Sequence, residues 1–454
     1  PLYYAVEGER ILFGSEIKGL ITHPRAHRSL NERRLAHWLC MEYLPDEETL
    51  FEGVRKLPAG HWLRWRDGRA ECGRWFAPRF VPDASRSLEE SAEAIEATLR
   101  ESVAAHAIAD VDVGCFLSAG VDSSLVAREA ARIMEARTFT IGWGEGRFSE
   151  LEAAATFARA TGLPNEGRIL GAEQFFASVP AVQYAMDEPL PNPSAVPLLP
   201  GMARVLSGAW AKGRRAVRQP SYYQSATLRL TGRASAAAPP PQSCLRKPTG
   251  GAFHARSTPA SRAIRLEYNP GPRRSIFWRP SWARARGSTG NLRALFAEIE
   301  ADEITAMQTA DILTWMQQDI LLKADKMSMA SSLELRVPFL DREVFALAST
   351  LPVSQRVGRR ETKIALRAAA ARTLPQATAA MPKQGFVTPL AQWLQEEPWH
   401  SQVREVLNGE RARRFFRTDR LNALLDEHQR GARSHMKKIW SAYCFLIWHE
   451  QYFS

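Results

Sequence analysis

Residues 116–127 read Phe-Leu-Ser-Ala-Gly-Val-Asp-Ser-Ser-Leu-Val-Ala, and they carry the clearest chemistry in the chain. An apolar run, Asp110–Leu117, ends in a Ser/Gly turn, after which an amphipathic helix begins. Ser118, Gly120, Ser123 and Ser124 place hydroxyls and backbone N–H groups at a helix start, where unsatisfied donors and the helix dipole favour an anion. A phosphate group suits that geometry, and Asp122 could hold the Mg²⁺ that accompanies nucleotide phosphates. The plainer reading is a strand–turn–helix joint in which Asp122 or Ser123 is only an N-cap. The loop is not a Walker A sequence, because GxxxxGK[ST] is absent. A second candidate is Lys383, in Pro382-Lys383-Gln384-Gly385-Phe386, a cation on a Gly-containing loop. The alternative there is a solvated loop lysine.

The elements that must position these residues follow from periodicity. Residues 1–78 alternate short β-like runs with turns, one hairpin turning near Gly8 and another at Asp67-Gly68. Ser87-Leu88-Glu89-Glu90 is a capping box, and Leu88, Ala92, Ile95, Leu99 and Val103 fall at helical spacing behind it. Around Leu321–Pro352, Lys323, Asp325 and Lys326 precede the small-residue stretch Met327-Ser328-Met329-Ala330. Glu334, Arg336 and Asp341 flank the apolar Val337–Leu340. Charges this close to an apolar run are paired and partly buried, as a structural ion network or as catalytic groups.

Composition sets the outer bounds. The chain has 454 residues, 45% hydrophobic and 24% charged, ordinary for a globular protein of two or three domains. No apolar run reaches the roughly 20 residues of a membrane helix, and no signal peptide opens the chain. The five cysteines, Cys40, Cys72, Cys115, Cys244 and Cys444, have no metal-type spacing and read as reduced thiols of a cytoplasmic protein. The net charge of +11 is concentrated. Arg204–Arg286 holds 15 Arg and 2 Lys against the one acid Glu267, a local net of +16, so the remainder carries −5. That window is rich in Ala, Pro, Ser and Gly, lacks periodicity and reads first as disordered. Three origins stay open for it: a flexible basic insertion, a stretch read out of frame, or a nucleic-acid-binding tail. Its aromatics cluster at its ends rather than interleaving with arginines, which argues against nucleic acid.

The loop closely resembles the SGGxDS pyrophosphate loop of the ATP pyrophosphatase group, and more narrowly that of asparagine synthetases, with Ala119 in place of the middle glycine. Further segments resemble that family in order. PLYYA through Trp75-Phe76 is similar to the last third of its glutaminase domain, an N-terminal-nucleophile fold. Thr138–Gly142 is similar to the next strand. Asp187-Glu188-Pro189 through Pro193–Pro197 resembles the loop and helix that follow, and Leu321–Pro352, Glu361–Arg367 and Pro382–Leu390 resemble the C-terminal part. The resemblance implies an α/β fold: a mostly parallel five-stranded sheet of ATP-pyrophosphatase type with flanking helices, preceded by a β-rich glutaminase remnant. Domains are expected at 1–78, 87–204 and 291–454, with 205–290 standing apart as the basic segment.

The resemblance also implies a reaction. The β-carboxylate of aspartate attacks the α-phosphorus of ATP, and ammonia then displaces AMP from the acyl group. Ser118, Gly120, Asp122, Ser123 and Ser124 would hold pyrophosphate and Mg²⁺, Leu117 and Ile141 would flank the adenosine, and Lys383 would stabilise the transition state. Small molecules are the implied partners, and a homodimer stays open. Two departures are plain. The family's glutamine-hydrolysing residues lie upstream of PLYYA, so a truncated glutaminase domain without glutamine-dependent activity is expected. The second phosphate segment, SGEGxDE, is matched only by Ser207-Gly208, a match that could be accidental, and without its acidic residues impaired synthesis is expected. The remaining readings are a sibling amidotransferase, a β-lactam-synthetase-like enzyme on another carboxylate, and a non-catalytic remnant using the basic window.

Overall fold

The computed structural model describes residues 1–24, 26, 28–118, 120–144, 149–199, 299–382 and 385–454. The basic window therefore lies outside the described residues, as do Lys383, Ser207 and Gly208.

The N-terminal part is built on hairpins. Strand β1 (Tyr3–Glu7) pairs antiparallel with β2 (Arg10–Gly14), Glu7 opposite Arg10, across a turn at Gly8 with φ +61°. Helix α1 (Ile17–Ile21) and helix α2 (Glu32–Met41) follow, and β3 (Val54–Lys56) joins the other edge of β1 to give the order β2-β1-β3. Strands β4 (His61–Arg66) and β5 (Arg69–Arg74) form a separate hairpin. Its central residues Asp67 and Gly68 have φ +51° and +73°, the left-handed pair that matches the strands' right-handed twist.

The capping box forms as the sequence predicts. The Ser87 side chain accepts from Glu90 N, and the Glu90 carboxylate accepts from Ser87 N at 2.8 Å, opening helix α3 (Leu88–His106). Ala92, Leu99 and Val103 are buried along it, Ile95 is half-buried, and Leu88 is exposed instead. Next come β6 (Gly114–Phe116), α4 (Val121–Ala130), β7 (Arg137–Trp143), α5 (Leu151–Thr161), β8 (Asn165–Leu170) and α6 (Ala172–Met186). β6, β7 and β8 form a parallel sheet in that order, and α4 and α5 are its crossovers. The described residues thus hold three parallel strands where five are expected, and β6 covers only the end of the Asp110–Leu117 run. Val111 is 64% exposed, because Asp110 and Asp112 flank it and keep the start of the run in water.

Two apolar cores result. One packs β6 and α4 against α3, α5 and the helix Ile364–Thr373, through Leu99, Cys115, Leu125, Phe157 and Ala370. The larger one joins Tyr3, Ile17, Trp38 and Phe51 of the N-terminal part to α6 and the C-terminal helix Met436–Phe453. The first 78 residues therefore share a core with the rest of the chain. The C-terminal helix buries Trp440, Tyr443, Phe445, Trp448 and Tyr452 around most of its circumference, which requires elements packed on several sides.

Candidate active site at the end of strand β6

The Leu117–Ser124 segment lies at the C-terminal edge of the parallel sheet, where strand ends open onto helix starts. Leu117 is buried, its N–H donating to Phe139 O at 2.8 Å and its carbonyl accepting from Thr140 Oγ1 at 2.9 Å, which ties the loop's first residue to β7. The turn is then closed by its own hydroxyls. Ser118 N donates to Ser123 Oγ at 3.1 Å, the two hydroxyl oxygens are 3.0 Å apart, and Ser123 Oγ donates to Gly120 O at 3.2 Å. Gly120 is the N-cap of α4, with no side chain over the helix end. The first amides of α4 are left pointing out of the helix, as an oxyanion requires. The turn fits a phosphate on the chemistry of its donors.

The expected residues are distributed unevenly. Leu117, Ser118, Gly120, Asp122 and Ser123 come together in the turn. Ser124 is fully buried, its hydroxyl without a hydrogen-bond partner, and its amide donates to Gly120 O at 3.0 Å, so its side chain faces the interior rather than the loop mouth. Ile141 is half-buried on β7, opposite Arg168 of β8. Lys383 lies outside the described residues; contacts of the residues before and after it are described. Arg367 Nη1 donates to Ala379 O and Met381 O, each at 2.9 Å, and the Phe386 ring lies 5.5 Å from that of Trp143 at the end of β7.

The residue that sequence reasoning missed is Lys363. Its Nζ donates to both carboxylate oxygens of Asp122, at 2.6 Å to Oδ1. Lys363 is the N-cap of the helix Ile364–Thr373 with φ +61°, ψ +38°, a left-handed conformation uncommon for a residue with a Cβ. Its N–H donates to Arg356 O at 2.7 Å, and a bridge between Val357 and Thr362 closes the hairpin behind it. The Glu361–Arg367 motif contained the signal, a lysine at a helix start, but spacing alone could not show which carboxylate it would face. Among the described residues no cluster of three or more His, Cys, Asp or Glu side chains could hold a metal ion.

Two of the charges around Val337–Leu340 make structural contacts. Arg336 Nη1 donates to His106 O at 2.7 Å and Ile108 O at 2.6 Å, satisfying carbonyls left at the end of α3. Asp341 caps the helix Arg342–Thr350 through Glu343 N at 2.8 Å. No helix among the described residues is long and apolar enough to cross a membrane.

A family model described as asparagine synthase matches residues 94–209 and 218–450. The chain belongs to the asparagine synthase family. A second model, a glutamine amidotransferase domain, matches residues 1–76. The asparagine synthase match includes both the Ser118–Ser123 turn and Lys363, which supports a ligase. A putative glutamine-hydrolysing asparagine synthetase of Mycobacterium tuberculosis (strain ATCC 25618 / H37Rv) is 34% identical over 450 residues, 92% of this chain and 67% of the relative. Glutamine-hydrolysing asparagine synthetase 1 of Bacillus subtilis (strain 168) is 29% identical over 479 residues, 99% of this chain and 73% of the relative. A fungal relative, amidase chry2 of Gibberella zeae, is 32% identical over 146 residues, 30% of this chain and 20% of its own length.

Proposed function

We propose that the chain is an ATP-dependent, AMP-forming ligase that adenylates the β-carboxylate of aspartate and converts the acyl-adenylate to the amide with ammonia. The observation that carries this reading is the hydroxyl-closed turn Ser118–Ser123 at the start of α4, with the Lys363–Asp122 pair at its mouth. Aspartate and ATP come from the family and from what its members are named for; the phosphate-binding role comes from the turn itself.

In the first step an oxygen of the aspartate β-carboxylate bonds to the α-phosphorus, and the bond from that phosphorus to the α,β-bridging oxygen breaks, releasing pyrophosphate. The α4 amides and the Ser118 and Ser123 hydroxyls would hold the pyrophosphate oxygens. Mg²⁺, held on Asp122, would neutralise phosphate charge. The Lys363 ammonium, 2.6 Å from Asp122 Oδ1 at the mouth of the turn, would supply a cation for the phosphate charge of the transition state. Lys383 would supply a second cation. Leu117 and Ile141 would line the adenosine side. In the second step ammonia attacks the acyl carbon, the acyl–oxygen bond to AMP breaks, and the nitrogen loses a proton.

The division into 1–78, 87–204 and 291–454, with 205–290 as a separate basic segment, is part of the same proposal, as are a cytoplasmic location and the weak Ser207-Gly208 contribution to a second phosphate contact. The test is ATP–pyrophosphate exchange with aspartate supplied or withheld. Exchange that requires aspartate supports the reading; ATP binding without any exchange on aspartate would overturn the substrate assignment.

A further inference from the structure

Three charged motifs are not used by the nucleotide turn: Ser15-Glu16-Ile17-Lys18, Asp187-Glu188-Pro189 and Asp325-Lys326. They meet at one buried point between the N-terminal 78 residues and the rest of the chain. The Asp187 carboxylate is inaccessible to solvent. Its Oδ2 accepts from Ile17 N at 3.1 Å and from Lys326 Nζ. Its Oδ1 accepts from Lys18 N at 3.2 Å and Lys18 Nζ at 3.0 Å, and the Tyr452 hydroxyl, which donates to Tyr184 O at 2.6 Å, lies 3.2 Å from it. Lys326 Nζ also donates to Ser15 O at 3.3 Å. The next residue reaches the same side: Glu188 Oε1 accepts from Leu50 N at 2.9 Å, and Oε2 lies 3.5 Å from Lys56 Nζ.

Two features show that this is more than ordinary packing. A carboxylate offers about four lone-pair sites, and four N–H donors, two on each oxygen, already converge on Asp187, so none is left for a metal or a substrate. Asp187 is also held at φ +64°, ψ −41°, a conformation that costs a residue with a Cβ on the order of 1–3 kcal/mol and persists only when its surroundings over-determine it. Burial pushes its carboxyl pKa up, yet Lys326 and Lys18 hold it below the usual range. The acid is charged, and its partners come from both sides of the boundary.

We infer that the Asp187–Glu188 pair is the joint that seats residues 1–78 on the synthetase half, and that the Asp187 carboxylate does not serve as a metal or substrate ligand. This matters because an acidic pair in a chain lacking SGEGxDE is otherwise the natural substitute for the missing Mg²⁺ ligands. Asp187 acts through its partners, as a positioning residue.

The test uses the full chain and its Asp187→Asn, Lys326→Met and Glu188→Gln variants. Amide hydrogen exchange is read at Ile17, Lys18 and Leu50, with Thr140 of β7 as reference. Calorimetry reads the Mg²⁺ dependence of ATP binding, the only arm that rests on the proposed function. Loss of one charge-assisted bond should lower protection at Ile17 and Lys18 by about tenfold or more in the first two variants, with Thr140 unchanged. Glu188→Gln should do the same at Leu50, and it decides the matter if Asp187→Asn does not fold. The Mg²⁺ midpoint should stay within about twofold, since no lone pair of Asp187 is open to the ion. Unchanged protection in the variants, or a tenfold shift in that midpoint with protection intact, would overturn the inference. Wild-type chain that binds no ATP would instead defeat the nucleotide reading, and the exchange data would still decide the joint.

Discussion

Replacing Lys363 by Met separates the two roles that an ion pair at this turn can have. The Lys363 and Asp122 side chains are 30% and 37% exposed. A pair this open to solvent contributes at most about 1 kcal/mol to folding, because water and salt screen it. Methionine keeps the length and apolar stem, and it shares lysine's penalty for the left-handed backbone at φ +61°. The melting temperature should therefore fall by no more than about 2–4 °C. Catalysis should respond differently. A preorganised cation facing a developing phosphate charge is worth about 3–4 kcal/mol of barrier, or 10²–10³ in rate. Aspartate-dependent ATP–pyrophosphate exchange should drop by that factor while the protein remains folded. A double variant, Asp122→Asn with Lys363→Met, should not recover the lost exchange, because the phosphates then lack both the cation and the carboxylate proposed to hold Mg²⁺. Exchange within about threefold of the unmodified chain would refute the assignment. So would recovery in the double variant.

Three further outcomes follow from particular side chains. Ser123→Ala removes the hydroxyl that closes the turn onto Ser118 and Gly120; calorimetry should show ATP affinity reduced by about tenfold or more, because the loop no longer holds its hydrogen-bonded shape. Trp143→Ala should cost about 3–5 kcal/mol in denaturant unfolding, since the ring is buried among Phe175, Trp393 and Phe386; Trp143→Phe should cost much less, because the indole N–H has no hydrogen-bond partner to lose. Burial, with Arg414 and Arg411 nearby, lowers the His449 pKa to about 4, so the unfolded chain takes up this proton first as pH falls. Its contribution to stability is full above about pH 6.5 and is lost between there and about pH 4. Urea unfolding at pH 7 and pH 5 should show a smaller pH effect for His449→Phe than for the unmodified chain.

Much of this protein is determined locally and was legible for that reason. The Gly8 and Asp67-Gly68 turns depend on residues that tolerate positive φ, and the α3 capping box is completed within four residues. The strand–turn–helix around Ser118 is equally local: its hydroxyls bond to amides and carbonyls at most five residues away, so spacing alone carried it. Tertiary structure decided the partners of charges. Lys363 meets Asp122 across 241 residues, and Asp187 meets Lys18 across 169 and Lys326 across 139. No local pattern marks which lysine faces which carboxylate, because an ion pair has no sequence period; the chain's return path selects it. The same holds for Ser124, one residue from Ser123, which the first turn of α4 rotates away from the loop mouth and into the core. It holds too for the N-terminal 78 residues, whose hairpins read as a separate unit in sequence. A stretch this short encloses little core alone, and Trp38 and Phe51 are buried in a core shared with the helix Met436–Phe453.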